Sequence, residues 1–271
     1  MRILYPVYSF FDARTRRRKA RTKAESRVLN LIARMRPWQT NRPLIRLGPP
    51  SDGGYLIPDD LEGIEACFSP GVGLISGFEA DCAARGLKVF LADGSVKEPA
   101  QTDPNFKFIN KHIGLTSTDT TSTMDDWVNS SCVSHNSDLM LQMDIEGFEW
   151  LALANMSGEL LNRFRILMVE FHGLDQLQSV VFFCVASNVF QRILETHVCV
   201  HIHPNNCSKP LPNPMGIVIP SVMEFTFLRK DRVSTQTPAK LYPHPLDCDN
   251  APVNKPLPLP EIWYQDPQDC T

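Results

Sequence analysis

The sequence predicts an α/β domain built on a doubly wound, mostly parallel β-sheet. Three observations predict it. Short apolar runs alternate with helix-like segments along most of the chain. One such run, 65–69, passes directly into a glycine turn, Ser69-Pro-Gly-Val-Gly73, and the next ends on Asp93, 20 residues beyond Gly73. A later run, 139–143, ends on Asp144, with Glu146 close behind.

The elements follow in order. Residues 24–36 carry Val28, Leu31, Ile32 and Met35 at helical spacing with arginines between them, and Pro37 stops the helix. Residues 46–55, with two prolines and Gly53-Gly54, read as a shaped turn. After the glycine turn a helix runs from near Ile75 to Gly86, a good residue just past a helix end. Strands are expected at 88–92, 106–109, 139–143 and 166–170. Helices are expected after Asp125-Asp126, at 149–155 and at about 174–194, with a Ser/Thr-rich loop at 116–123. Strands at 198–202 and 224–228, with no full helix between them, predict an antiparallel hairpin at one sheet edge. The chain then divides into a basic arm and helix (1–45), the main domain (46–235) and a tail (236–271). The tail holds eight of the 22 prolines and is expected to be extended, draped over the domain.

Composition narrows the function classes. A net charge of −3 argues against a dedicated nucleic-acid binder, although Arg14 to Lys23 is strongly basic. The eight cysteines form no CxxC pair, which speaks against a disulfide framework or a zinc site. Cys184 and Cys199, set among apolar residues, are expected to be core thiols. The longest strongly apolar run, 180–186, is too short to span a bilayer, and the start of the chain lacks the order of a signal peptide. The expectation is a soluble, cytoplasmic protein, with the sequons at Asn129, Asn155 and Asn206 as chance matches.

Ligands of a doubly wound sheet bind beyond the carboxyl ends of its strands, so the residues there carry the chemistry. Gly71 and Gly73 allow backbone to approach a cofactor, and Asp93 can accept hydrogen bonds from ribose hydroxyls. Asp144 and Glu146 are carboxylates beside the crevice, fit for a general base or a metal. Glu170 and His172 alternate with apolar residues at a strand end and share a face, so His172 is a second candidate base. His201 and His203 also share a face and could join Asp144 or Glu146 on a metal. No compact ligand motif appears, so a divalent metal is not favoured.

Together these pieces resemble the FkbM-type methyltransferase family, over roughly residues 46–231. The most specific match is Met143-Asp-Ile-Glu-Gly-Phe-Glu149, similar to that family's D-x-E-G-x-E signature, with Glu170-Phe-His172 similar to its E-x-H strand. Asp52-Gly-Gly-Tyr55, His203-Pro-Asn-Asn206 and Glu224-Phe-Thr-Phe227 resemble elements of a subset of that family. The resemblance implies the Rossmann-like sheet of class I methyltransferases. It also implies S-adenosylmethionine (SAM) as cofactor and O-methylation of a sugar or small-molecule hydroxyl.

On that basis Asp144, Glu146 and His172 are the expected catalytic groups. Gly71, Gly73 and Asp93 would hold the cofactor, with His112 and Ile113 near adenine. Tyr55, Glu170, His203 and Asn205 would face a small-molecule or glycan acceptor. One departure stands out: Ser69 occupies the position where the family usually has an acid, leaving Asp52 or Glu79 to supply charge for the methionine amino group. The alternatives are a non-catalytic module on the same fold and an NAD-dependent oxidoreductase. The latter is disfavoured because Ser76 breaks the G-x-G-x-x-G pattern.

Overall fold

The structure is a computed structural model that describes residues 22–131, 133–207, 216–234 and 237–265. The basic run before residue 22, Cys132, Cys270 and residues 208–215 lie outside the described residues.

The described chain begins with α1 (22–34) and an antiparallel ribbon of β1 (Leu44–Leu47) and β2 (Tyr55–Pro58). Then come β3 (Ile64–Pro70), α2 (Gly77–Ala84), β4 (Lys88–Ala92), β5 (Phe106–Ile109) and a short pair, β6 (His112–Ile113) with β7 (Thr121–Ser122). Next are α3 (Met124–Ser130), β8 (Asp138–Met143), α4 (Glu149–Asn155), α5 (Gly158–Arg163) and β9 (Phe164–His172). The last elements of the sheet region are α6 (Val180–Thr196), β10 (His197–Pro204) and β11 (Val222–Arg229).

Seven strands form the central sheet in the order β10-β11-β9-β8-β3-β4-β5. From β5 to β9 every pairing is parallel, and β11 is antiparallel to both β9 and β10. Numbered within the sheet, β5, β4, β3, β8 and β9 run 3-2-1-4-5, consistent with a Rossmann-like fold. The order reverses between β3 and β8, and a crevice opens there beyond the strand ends.

Alternation along the strands sends side chains into two apolar layers. Leu139, Leu141 and Met143 of β8, and Leu167, Val169 and Phe171 of β9, pack with α1, α3, α4, α5 and α6. Trp150 stacks against Phe171 there, with Phe190 edge-on to both. Removing one such buried ring costs about 3–5 kcal/mol. Met140 of β8 and Ile166 and Met168 of β9 face the opposite layer, closed by α2 and the β1–β2 ribbon. By the same alternation Gln142, Glu170 and Glu224 fall on that second side. Thr226 shares it and donates its hydroxyl to Leu56 O of the ribbon at 2.6 Å. The polar site is therefore roofed by β2 rather than by the long helices.

Four details differ from the sequence reading. The segment 46–55 is the turn of a hairpin whose flanking strands have only four residues each, too short to show a period. The segment 174–194 opens as a 3-10 helix, Leu174–Gln178, and extended Ser179 then begins α6. An unexpected helix, α5, is capped by Ser157, whose hydroxyl accepts from Leu160 N. Cys184 is exposed, not a core thiol, because α6 buries Ala186, Val189, Phe190 and Ile193 on its other side; Cys199 is buried. The described tail residues run along the domain as extended stretches and turns and end in a short 3-10 helix, Glu261–Trp263, which buries Trp263 in the larger core. No helix among the described residues is long and apolar enough to cross a membrane.

Candidate active site

The glycine turn is shaped by close approach. Gly71 has φ 86° and its N–H donates to Ala92 O at 2.9 Å. A Cβ at this position would run into the Asp144 carbonyl oxygen, so β3 and β8 can only come together here over a glycine. Gly73 donates its N–H to Asp93 Oδ2 at 2.9 Å. Asp93 Oδ1 accepts from Ser95 N and Ser95 Oγ at 2.7 and 2.6 Å. Burial pushes the Asp93 carboxyl up, but these hydrogen bonds outweigh it and hold the group below its ordinary value, as a carboxylate.

Between this turn and the ends of β4 and β8 lies a cavity of about 420 Å³. All seven residues expected to touch a cofactor line it: Asp52, Gly71, Gly73, Glu79, Asp93, His112 and Ile113. So do Tyr55, Asp144 and Glu146. Leu74 and Ile75 give its wall an apolar edge, and Leu74 is 86% exposed. Five carboxyl side chains border the cavity, and no lysine or arginine is among the described lining residues.

At the floor, Ser69 Oγ lies 2.5 Å from Glu79 Oε1 and 2.6 Å from Gln142 Oε1. Ser69 Oγ is the donor toward both acceptors, and its one proton serves one of them at a time. Burial raises the Glu79 pKa, and the Ser69 hydrogen bond opposes the rise. Gln142 Nε2 donates onward to Tyr55 Oη at 3.1 Å. Ser69 thus ties Glu79 into a buried chain, whereas Asp52 lines the cavity outside that chain.

The reacting end is built on the turn after β8. Glu146 has φ 55°, the only non-glycine residue with positive φ among the described residues, and Gly147 follows at φ 99°. Strain of this kind persists where the surroundings over-determine it. Glu149, fully buried, is one of the determinants: it accepts from Gly147 N at 2.8 Å and from His172 N at 2.6 Å. Its Oε1 also lies 3.3 Å from His172 Nδ1, while Trp150 Nε1 donates to His172 O at 2.8 Å.

His172 Nε2 then faces three acids: Glu146 Oε2 at 3.4 Å, Glu170 Oε1 at 3.8 Å and Asp144 Oδ1 at 4.0 Å. Burial lifts Asp144 to about 7; His172 opposes the rise, and Glu146, Asp52 and Glu149 add to it. Glu170 is held well above the ordinary carboxyl range by burial and then by Asp144 and Glu224. For His172, burial acts to lower the pKa, but Glu149, Asp144 and Glu146 raise it overall.

The expected acceptor residues sit further along the same sheet edge. Asn205 Nδ2 donates to Glu170 Oε1 at 2.9 Å. Glu224 stands directly opposite Glu170 on β11, and His203 opposite Glu224 on β10. His201 and His203 do not join Asp144 or Glu146. His201 Nε2 is 2.9 Å from Asp247 Oδ1, and His203 Nδ1 is 3.7 Å from it, because the tail brings Asp247 against both rings. Asn250, also from the tail, donates to Asp52 Oδ1 at 3.1 Å and Glu224 Oε1 at 2.7 Å.

Sequence reading missed the roles of Gln142, Glu149, Asp247 and Asn250. A polar residue inside the apolar run 139–143 was a signal for Gln142. Glu149 lay inside the matched motif but resembles any helix-opening acid. The tail residues carry no local signal. No family model matches the chain, and no curated protein matches it.

Proposed function

We propose that this protein is a SAM-dependent methyltransferase acting on a hydroxyl oxygen of a sugar or other small molecule. One observation carries the proposal: the cavity at the sheet's switch point is bordered by Asp52, Glu79, Asp93, Asp144 and Glu146, with no lysine or arginine among its described lining residues. SAM brings a sulfonium and an ammonium cation, which suit acidic walls, whereas a dinucleotide would bring a pyrophosphate into them. The volume of about 420 Å³ lies in the range of small-molecule sites. The sheet order, with its antiparallel hairpin, and the motif resemblance support the same reading.

Asp93, ionised and fixed at the end of β4, would accept from ribose hydroxyls, and Asp52 would face the ammonium group. When bound, SAM supplies a methyl carbon from which sulfur leaves as a neutral thioether, taking the C–S electron pair as the acceptor oxygen forms the new bond. The protein's part is alignment and removal of the acceptor's hydroxyl proton. Asp144, lifted to about 7, is the base best matched to neutral pH, and His172 beside it can relay the proton.

Calorimetric titration with SAM, S-adenosylhomocysteine and NAD tests the proposal. Binding of the first two and not the third is expected. Asp93→Ala should weaken SAM binding by about 100-fold, the equivalent of about one charge-assisted hydrogen bond. Binding of NAD alone, or of none of the three, would overturn the assignment.

A further inference from the structure

Beside the cofactor cavity, Asp144, Glu170 and His172 each offer one donor atom, all within 4.8 Å of one another. Three features set this group apart from a chance cluster of acids. Glu170 is only 5% exposed; its Oε1 accepts from Asn205, and its Oε2 has no hydrogen-bond partner. Asp144 Oδ1 is likewise buried and unpartnered. His172 is pre-aimed: Glu149 holds its backbone and stands 3.3 Å from Nδ1, which leaves Nε2 pointing at the carboxylates. Glu149 stands where the second-shell carboxylate of a metal-bound histidine stands, although Nδ1 makes no hydrogen bond to it.

Charge points the same way. Glu224 lies directly opposite Glu170 and is itself faced by His203 and Arg46, whereas Asp144, Glu146 and Glu170 are faced by His172. A buried excess of carboxyls is costly unless protons or a cation compensate it.

We infer that Asp144, Glu170 and His172 form a binding site for one divalent transition-metal cation, with Glu146 able to close over it. Two carboxylates and an imidazole suit a cation such as Mn²⁺ better than Mg²⁺, which prefers oxygen alone. The donor atoms have to draw in by about 1 Å to reach ordinary bond lengths. Glu146 Oε2, 3.4 Å from His172 Nε2 on a side chain that is 87% exposed, is free to swing. The cation does not depend on the methyltransferase reading. Its purpose does: Asp144 borders the SAM cavity, so a cation there would hold the acceptor hydroxyl beside the transferable methyl group and make its proton easier to remove, with Asp144 and His172 serving as ligands in place of base and relay and the proton passing to exposed Glu146 or to water.

Mn²⁺ titration followed by the paramagnetic resonance of free Mn²⁺, on the metal-stripped full chain without SAM, tests the site. One tightly held Mn²⁺ per chain is expected. Glu170→Gln and Asp144→Asn should each weaken it about tenfold or more, while Glu65→Gln, a surface carboxylate at the other end of the sheet, should leave it unchanged. Thermal melting checks that each variant is folded, and a variant that fails this check is replaced by His172→Asn. Absence of saturable binding, or binding indifferent to the ligand substitutions, would overturn the site. SAM titrations with and without a chelator separate the two proposals. SAM binding without Mn²⁺ binding removes the metal alone, and Mn²⁺ binding without SAM binding keeps the site and removes its assigned purpose.

Discussion

The two ends of the central sheet treat charge in opposite ways. At the end where β8 and β9 begin, acids and arginines are matched. Arg165 Nε donates to Asp138 Oδ2 at 2.7 Å, and its Nη1 donates to Asp60 O and Glu62 O. Arg229 takes both oxygens of Asp138, and Arg232 both oxygens of Asp60. At the end where those strands finish, Asp144, Glu170 and Glu224 crowd together, and two of them keep an unpartnered oxygen. Charge is paired at one end; at the other, carboxyls are buried short of partners.

The largest expected effect breaks the balanced end. Arg165→Met should destabilise the protein by about 3–5 kcal/mol, measured as a shift in urea midpoint at constant slope, because Asp138 and two backbone carbonyls lose a buried donor. A loss below about 1 kcal/mol would mean that the pairing is decorative.

Next comes a pH effect at the same end. His197 is buried, with Nε2 2.6 Å from Phe164 O, and burial drops its pKa to about 4. The unfolded histidine titrates near 6.5, so between these values the unfolded chain binds the extra proton and stability rises with pH. The contribution is complete above about pH 7 and is lost as pH falls through 4, about 3 kcal/mol in all. The stability difference between wild type and His197→Gln should follow that slope from pH 7.5 to 4; a flat difference would show the ring to be irrelevant.

The smallest effect sharpens the comparison. Glu170→Gln, in chelator and without ligand, should leave stability within about 1 kcal/mol of wild type or raise it, since it removes a buried carboxyl that is already poorly satisfied. A loss above about 2 kcal/mol would make Glu170 a structural residue like Arg165.

Much of the unbalanced end was legible in the sequence because it is built from short motifs at strand ends. Gly71, Gly73, Asp93, Asp144 and Glu146 each follow an apolar run, and the parallel sheet brings those ends together. The balanced end was not legible: Arg165, Arg229 and Asp138 flank strands as charged residues do on any surface, and only the antiparallel insertion of β11 brings Arg229 to Asp138. The same limit hid the tail's part in the site. Proline-rich composition describes how 236–265 travels, but which of its side chains lands on His201 or Asp52 depends on contacts far away in sequence.

That last contact has a consequence for how the protein is made. Asn250 reaches Asp52 across 198 residues, so one side of the cofactor cavity is finished only after the ribosome has passed the tail. At ordinary elongation rates Asn250 follows Glu170 by about 4–16 s, an interval in which the glycine turn, Asp144 and Glu170 are already made and lack that clasp. Until Asn250 arrives, the Asp52 side of the cavity stands without that contact and is more open than in the finished protein.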